Sequence, residues 1–459
     1  MVDAFHHERV NDPKDIERQR QAYGLSAIIT TQTIKEKTMG KFKRLFIVLL
    51  SLFMGPSLLW AGGADNKTNW SAEYIGILNR NAATDAADIA MYNPAGIMKM
   101  DNGFYGNLSV QYLPKDYNNK IAGTDFDQDY PSVVPGLFAV YRQDQWAGFF
   151  AVSNVVGGGK VDFKQGNATT NFVKSGVRAK APIFNLVNRE YLEAEATGMA
   201  YTLGGAYELN EIWSLALGVR YVKSDRAMEG IISLGSSIVP AATYIADVKF
   251  EEKADGFGGV IGVNVSPSDV LNFGLHYDTK VTLDYKADVE RDTKNILPGL
   301  GVVNGTERSR NLPAVLAAGI SYKITPDIRI ETNATFYLNN DANFKDIAGT
   351  SRDESAVSTG YDIGIGVDYA LTDTLNATLG YLYTKTGVDA KDMTPELPEL
   401  NANTLGAGLK YRATDQLNFM FSLGHVFYQD ASFVNGFSQS ITYEKKITFF
   451  GVGLEYQFF

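Results

Sequence analysis

The chain has 459 residues, with 42 Lys+Arg against 52 Asp+Glu and a formal net charge of −10, a balance that argues against nucleic acid as a partner. It contains no cysteine, which excludes a disulfide framework, a thiolate metal site and an acylated lipoprotein anchor. Glycine (44), tyrosine (25) and phenylalanine (26) are abundant while proline is modest, a composition suited to half-polar strands with aromatic rims.

Residues 1–38 are polar and charged, and they precede Met39, the expected true start of translation. From there Lys41, Lys43 and Arg44 form a basic segment, Leu45 to Met54 an apolar run, and Gly55-Pro56 with the small-residue zone Ala61 to Ala64 a cleavage region. Residues 39–61 thus read as a secretory signal peptide, too short to span a bilayer. Cleavage after Ala61 removes nine basic and six acidic residues and leaves a mature net charge of −13.

Residues 62–102 are not strand-like. Alanines 82, 83, 86, 87 and 90 favour short helical turns, and Asn93-Pro94 stops them because a residue before proline leaves the helical region. Taken alone, Asn93-Pro94-Ala95-Gly96 is an ordinary turn.

From residue 103 onward the pattern has period two. Ile363, Ile365, Val367, Tyr369 and Leu371 alternate with Asp362, Gly364, Gly366 and Asp368, and Leu215, Leu217, Val219 and Tyr221 with Ala216, Gly218 and Arg220. Each such strand has one apolar face and one small or polar face. Fourteen strands are expected, near 103–113, 132–142, 146–156, 189–208, 211–232, 243–266, 270–290, 306–324, 327–341, 353–371, 374–386, 401–413, 416–430 and 439–458. Their connections alternate between short and long. The short ones, at 143–145, 210, 267–269, 325–327, 372–374 and 414–416, all carry Asp or Asn, as tight turns prefer. Short turns on one side and long loops such as 157–188 and 291–305 on the other are the layout of an all-β, antiparallel transmembrane β-barrel in the bacterial outer membrane, with both termini in the periplasm.

Six of the seven descending strands end in an interfacial tyrosine: Tyr141, Tyr207, Tyr322, Tyr369, Tyr411 and Tyr456. The opposite phase at that depth holds Gly218, Gly319, Gly364, Gly366, Gly380, Gly406, Gly408, Gly451 and Gly453. Such a ring implies either close approach by other backbone, here residues 62–102 as a plug in the lumen, or glycines that ease barrel curvature. The final strand alternates Phe450, Val452, Leu454, Tyr456 and Phe458 before Phe459. An aromatic end of this kind fits a signal to the barrel assembly machinery.

The set of signal peptide, Ala82-Ala83-Thr84-Asp85-Ala86-Ala87-Asp88 leading into Tyr92-Asn93-Pro94-Ala95-Gly96, and fourteen strands resembles the FadL family of outer-membrane transporters for long-chain fatty acids and other hydrophobic compounds. Two later stretches add to it, Leu312 to Tyr322 with the Thr325-Pro326-Asp327 turn, and Asn403 to Tyr411. The resemblance implies a hatch with Asn93, Pro94 and Ala95 as its signature, followed by Gly96, in a monomeric barrel. It also implies substrate captured by extracellular loops, held in the lumen, and released sideways through a gap made by an inward kink in the third strand. The matching strand runs from Trp146 through Asn154 to Val156 and into Gly157-Gly158-Gly159, glycines that permit a kink or simply begin a loop. The family's acidic residues before the hatch motif are often adjacent, whereas Asp85 and Asp88 are separated.

Two predicted loops carry apolar residues suited to capture. One holds Leu234, Ile238 and Val239, the other Ile296, Leu297, Pro298, Leu300, Val302 and Val303; such residues either form a binding surface or bury against each other. After the third strand, Lys160, Lys164, Lys174, Arg178 and Lys180 face the single acid Asp162, as contacts for lipopolysaccharide phosphates or a carboxylate headgroup, or as a solvated loop.

No catalytic motif, cofactor or metal site is expected. Gly157-Gly158-Gly159-Lys160 is not a phosphate-binding loop, since Val161 stands where Ser or Thr is needed. His276 and His425 lie on separate strands without a recognisable nucleophile, which leaves an outer-membrane lipase or protease little support. The expected function is passive uptake of hydrophobic small molecules; a general porin or a surface adhesin on the same scaffold is the alternative.

Overall fold

The computed structural model describes residues 68–342 and 357–459, so the proposed signal peptide lies outside the described residues. Fourteen long antiparallel strands form one closed barrel. In chain order they are Gly103–Leu113, Ser132–Gln143, Trp146–Phe163, Leu186–Glu208, Trp213–Gly235, Thr243–Ser268, Leu271–Asp278 with its continuation Asp284–Asp292, Ala314–Lys323 preceded by Glu307–Ser309, Ile328–Leu338, Gly360–Thr372, Leu375–Lys385, Ala402–Arg412, Leu417–Tyr428 and Ser440–Gln457. Each strand pairs with its sequence neighbours, and the first closes on the last from Tyr105↔Gln457 to Tyr112↔Phe450. Closure removes the unpaired edges that a lipid environment does not tolerate.

The alternation resolves as the sequence predicts. In the first strand Leu108, Val110 and Tyr112 are exposed while Asn107, Ser109 and Gln111 are fully buried in the lumen. Tyr207, Tyr322, Tyr369 and Tyr411 stand on the outer face near the short-turn end. There they join an aromatic belt in which Tyr141 meets Trp146 edge-on at 5.4 Å and Phe104 meets Phe458 at 5.0 Å. An amphipathic ring at an interface keeps its hydroxyl wet and its body apolar.

Several elements depart from the expected boundaries: the strand expected over 270–290 is broken after Asp278, a short strand Ala431–Val434 precedes the last one, and three further departures bear on the site. A further strand, Lys115–Ile121, continues beyond Pro114 and pairs with Ile441–Ile447 of the last strand. The long loop after the third strand contains a helix, Ala168–Lys180, capped by Asn167, whose side chain accepts from the Thr169 and Thr170 amides. The third strand itself does not stop at Val156 but runs through the glycines to Phe163.

Inside the barrel, residues 68–100 form two short helices, Ala72–Ile77 and Ile89–Tyr92, and a 3₁₀ turn, Pro94–Lys99. Ser71 accepts from the Tyr74 amide to start the first, and Leu78, in the left-handed conformation (φ 57°), ends it. This segment fills the lumen at the short-turn end, and the glycine ring is where it touches the wall. A Cβ at Gly366 would stand 2.5 Å from the Ile77 carbonyl oxygen, and one at Gly319 would lie 2.8 Å from the Ala82 amide. At Gly380 and Gly406 the Ile77 and Ile75 carbonyls come closer still. Eight of the nine glycines meet the segment in this way; Gly218 instead packs against Phe149 and the Leu203 carbonyl. Replacing Gly406 with valine should therefore push the hatch helix off the wall, at a cost of about 1–3 kcal/mol for overpacking. Leakage of a small polar dye into cells carrying inserted Gly406→Val protein should rise, while the same change at the exposed Gly436, where no atom lies within 4 Å, should leave it unaltered.

Candidate functional site

The hatch is held by charges as well as by backbone. Arg80, almost fully buried, grips Asp88 with two bonds, Nη2 to Oδ1 at 2.5 Å and Nε to Oδ2 at 3.1 Å, and reaches Asp85 at 2.6 Å. Ser71 donates to Asp88 at 2.7 Å. The two separated acids thus converge on one guanidinium. From the wall, Arg329 and Lys410 approach Asp85 at 3.4 and 3.7 Å. Burial pushes the Asp85 carboxyl up, but Arg80, Lys410 and Arg329 more than offset it and hold it well below the usual carboxylate range. Glu331 and Glu455, on the ninth and last strands, accept from the Ala82 and Ala87 amides at 3.1 and 2.6 Å.

The Asn93-Pro94-Ala95-Gly96 turn is docked against the fifth to seventh strands. Asn93 is extended (φ −159°, ψ 91°), as its position before proline requires. Its side-chain amide donates to the Asn81 carbonyl at 3.3 Å and to the Val263 carbonyl at 3.2 Å. Ser214 donates to the Ala95 carbonyl at 2.8 Å, and a Cβ at Gly96 would stand 2.7 Å from the Ala83 carbonyl oxygen. The two histidines are both engaged structurally. Buried His276 bonds the Tyr92 carbonyl through Nδ1 and Asp278 through Nε2, while Asp278 pairs with Arg220 at 2.6 Å; His425 bonds Thr448.

Beside the hatch lies a cavity of about 650 Å³, within the range of ligand sites. Tyr74, Ile75 and Leu78 of the hatch line it, together with Leu113, Tyr117, Leu397, Tyr428, Ile447 and Phe449. Polar groups are interspersed with these, among them three lysines, Lys115, Lys160 and Lys445, set against three acids, Glu195, Asp362 and Glu399. The Lys445 ammonium sits 4.7 Å from the Tyr117 ring centre and 4.8 Å from that of Tyr428, and donates to the Pro398 carbonyl at 3.0 Å.

This cavity reaches the barrel wall between the second and third strands. Their ladder runs from Gln143↔Trp146 only to Gly136↔Ser153. Beyond it the third strand slips register twice against the fourth, at Asn154/Val156 and at Val156/Gly159. The slip takes Gly157 and Gly159 into the left-handed region (φ 79° and 74°), where glycine alone is unstrained. The glycine run is therefore a bulge inside the strand rather than the start of a loop. Pro135, which has no amide hydrogen to donate, lies next to the last paired residue of the second strand. Val133 and Val134 on one side and Asn154, Gly157, Gly158 and Gly159 on the other line the opening, and the Asn154 Oδ1 atom is buried without a partner.

The predicted capture loops divide. Ile238, Val239 and Val303 are exposed, whereas Leu234, Leu297 and Val302 are buried. Leu234 packs with Ile232 and Ala246 under Val173, Phe184 and Ile296, and Leu297 and Val302 pack with Phe250 beside Leu300. A smaller cavity of about 160 Å³ lies there, bounded by Met228, Phe250, Leu297, Leu300 and the same three glycines. Of the basic residues, Lys160 pairs with Glu193 at 2.7 Å and Lys174 with Glu190 at 2.6 Å. Arg178 donates to the Phe184 and Asn185 carbonyls, and Lys164 and Lys180 are exposed. The five do not converge on one point. Sequence reasoning passed over Arg80, Glu331, Glu455 and Lys115. The available signal was lumen-phase polarity, as in Asn107, Ser109 and Gln111 of the first strand.

The sequence model of the family described as outer membrane protein transport protein (OMPP1/FadL/TodX) matches residues 66–458. The chain belongs to this family. Its members are transporter channels rather than enzymes. A long-chain fatty acid transport protein from Escherichia coli O6:H1 (strain CFT073) is 24% identical over 294 residues. That match covers 56% of this chain and 65% of the relative's length. Among solved structures, a Pseudomonas aeruginosa FadL homologue superposes with a TM-score of 0.66 at 16% identity, covering 87% of this chain and all of that one. The toluene transporter TodX of P. putida gives 0.58 at 13% identity, covering 83% and 97%. At such identities these two likenesses speak for the fold.

If the motif anchors the hatch as its bonds indicate, replacing both Asn93 and Pro94 with alanine should weaken docking by about 1–3 kcal/mol for the lost buried bonds. Small-dye leakage in cells with correctly inserted Asn93→Ala/Pro94→Ala protein should rise, and Asp85→Asn should act in the same direction. Unchanged permeability in both would remove the anchoring role from this corner of the hatch.

Proposed function

We propose that this protein is a passive outer-membrane channel for hydrophobic small molecules, with long-chain fatty acids as its principal substrates. The observation that carries this reading is the continuity of the 650 Å³ cavity from the hatch helix to the break in the wall. Substrate enters from the long-loop, extracellular side past Ile238, Val239 and Val303, moves by the small cavity under Leu297 and Val302, and settles against Tyr74, Ile75 and Leu78. Because the hatch fills the short-turn end, the exit is sideways, between Val133–Pro135 and Asn154–Gly158, into the outer leaflet of the membrane. Ligand burial supplies the driving force for entry, and partition into lipid that for release; no energy source is needed.

The E. coli relative's name supports fatty acids and the TodX neighbour's supports an aromatic hydrocarbon. Apolar side chains such as Leu78, Leu113 and Phe449 beside Lys115, Lys160 and Lys445 in the same lining suit an amphiphile whose acidic head meets an ammonium. The family expectation of a monomer with periplasmic termini, assembled by the barrel machinery and contacting lipopolysaccharide through Lys164 and Lys180, completes the proposal.

Uptake of a labelled long-chain fatty acid, toluene and a sugar should be compared in cells lacking their own transporter. Fatty acid without sugar is the expected result; sugar alone would move the protein to the porins. Lateral exit is tested by a cross-link. A Cβ at Gly159 would lie 3.4 Å from that of Ser132, within bonding reach for a disulfide, and the chain has no cysteine of its own. Oxidised Ser132→Cys/Gly159→Cys protein should take up much less than the same sample after reduction, a comparison in which the strain of a side chain at the left-handed Gly159 and the loss of the Ser132 hydroxyl are common to both forms.

A further inference from the structure

Where the second and third strands part, the opening is not left empty. The Lys115 ammonium donates to the Ser132 hydroxyl on the second strand at 2.8 Å and to the Gly158 carbonyl on the third at 2.6 Å, while Ser132 donates to that carbonyl at 2.8 Å. Gly158 is skipped by the register slip between Val156 and Gly159, so its carbonyl has no place in the ladder. Gly158 is half-buried, and a carbonyl screened from water without a ladder partner calls for another donor. Lys115 does this from the break after Pro114, where the chain leaves the first strand for its continuation along the last. The side chain is buried, borders the cavity, and lies 5.5 Å from the Tyr117 ring centre.

We propose that Lys115 is the latch of the wall gap and the residue that makes its opening depend on an acidic headgroup. Ser132 and Gly158 offer the ammonium neutral oxygens. A carboxylate arriving in the cavity offers an acceptor that is itself charged, so that both partners of the new bond are ionised and Coulomb attraction adds to the hydrogen bond. The four-carbon stem with its rotatable ammonium lets the group swing to that new partner. Its departure takes away the bridge between the two strands and leaves Ser132 alone across the opening. An uncharged amphiphile of the same length makes no comparable claim on the ammonium and meets a closed gap.

This inference rests on the lateral-exit reading, and the experiment separates the two. Uptake of a labelled long-chain fatty acid and of the alcohol of the same chain length is measured for wild type, Lys115→Met, Lys115→Gln and Lys115→Arg, each checked for insertion by heat-modifiable electrophoretic mobility. Wild type should prefer the acid by about tenfold, a difference of about 1.4 kcal/mol. Loss of the ammonium in Lys115→Met or Lys115→Gln should bring the ratio towards one, with alcohol uptake rising and acid uptake falling. Lys115→Arg should keep most of the preference. An unchanged ratio in either neutral variant, or an equal fall for both substrates, would overturn the latch. Oxidised Ser132→Cys/Gly159→Cys protein distinguishes the failures. If it blocks uptake while the Lys115 variants keep the ratio, only the latch is wrong; if it transports both compounds as fast as its reduced form, lateral exit is wrong.

Discussion

Backbone can approach backbone closely only where no side chain stands between, and that constraint organises this barrel. The hatch carbonyls of Ile75 and Ile77 lie against Gly406, Gly366 and Gly380 at distances that no Cβ would allow. Glycine costs strand stability through chain entropy, and the cost is offset here by a lumen that is filled rather than wet. The remaining hatch groups then find partners on the wall. Glu331 and Glu455 take amide hydrogens, Ser109 takes that of Ala72 at 2.7 Å, and His276 donates through Nδ1–H to the Tyr92 carbonyl. A plug fixed this way has a set height and rotation in the barrel, because each wall residue has one register.

A closed ladder satisfies its own polar groups, so a break in it has to be explained by what replaces the lost bonds. Between the second and third strands three features act together. Pro135 has no donor to offer, Gly157 and Gly159 take up the left-handed conformations that move the third strand out of register, and Lys115 with Ser132 satisfies the stranded Gly158 carbonyl. The third strand recovers a ladder on its other side, from Gly159↔Ala196 to Phe163↔Leu192. The opening is therefore one-sided: it separates two strands without detaching either from the sheet.

Much of this was legible in the sequence because it follows from period two and from turn chemistry. The order of the fourteen strands, the Asp- and Asn-bearing turns, the outward tyrosines and the glycine phase are all local patterns. The parts that were not legible depend on residues distant in the chain. Nothing local marks Arg80 as the partner of both Asp85 and Asp88, or Lys115 as a bridge between residues 132 and 158. The loop residues Leu234, Leu297 and Val302 have the composition of a capture surface, yet the helix Ala168–Lys180 and the long fifth and sixth strands give them something to pack on. The same reasoning explains the basic cluster. Lys160 and Lys174 find glutamates on the fourth strand, and a pair formed with another element is invisible to a count along the loop.

The distribution of polarity inside the lumen links the hatch to transport. The ionic contacts of Arg80, Asp85 and Asp88 are absent from the cavity lining, which meets the hatch through Tyr74, Ile75 and Leu78. Tyr74 stacks on Tyr92 with ring centres 5.3 Å apart, and Tyr92 meets Trp70 at 5.0 Å, so the hatch's floor to the cavity is Tyr74, Ile75 and Leu78 with Thr68 and Asn69 beside them, its one aromatic ring backed by two more. An apolar chain resting on that floor gains contact area without disturbing the ion pairs below it. Binding and anchoring thus use different faces of one short segment. On the proposed route a solute fills the cavity and leaves through the wall while the hatch stays in place, which is the physical requirement for a barrel that passes oily molecules and still excludes water-soluble ones.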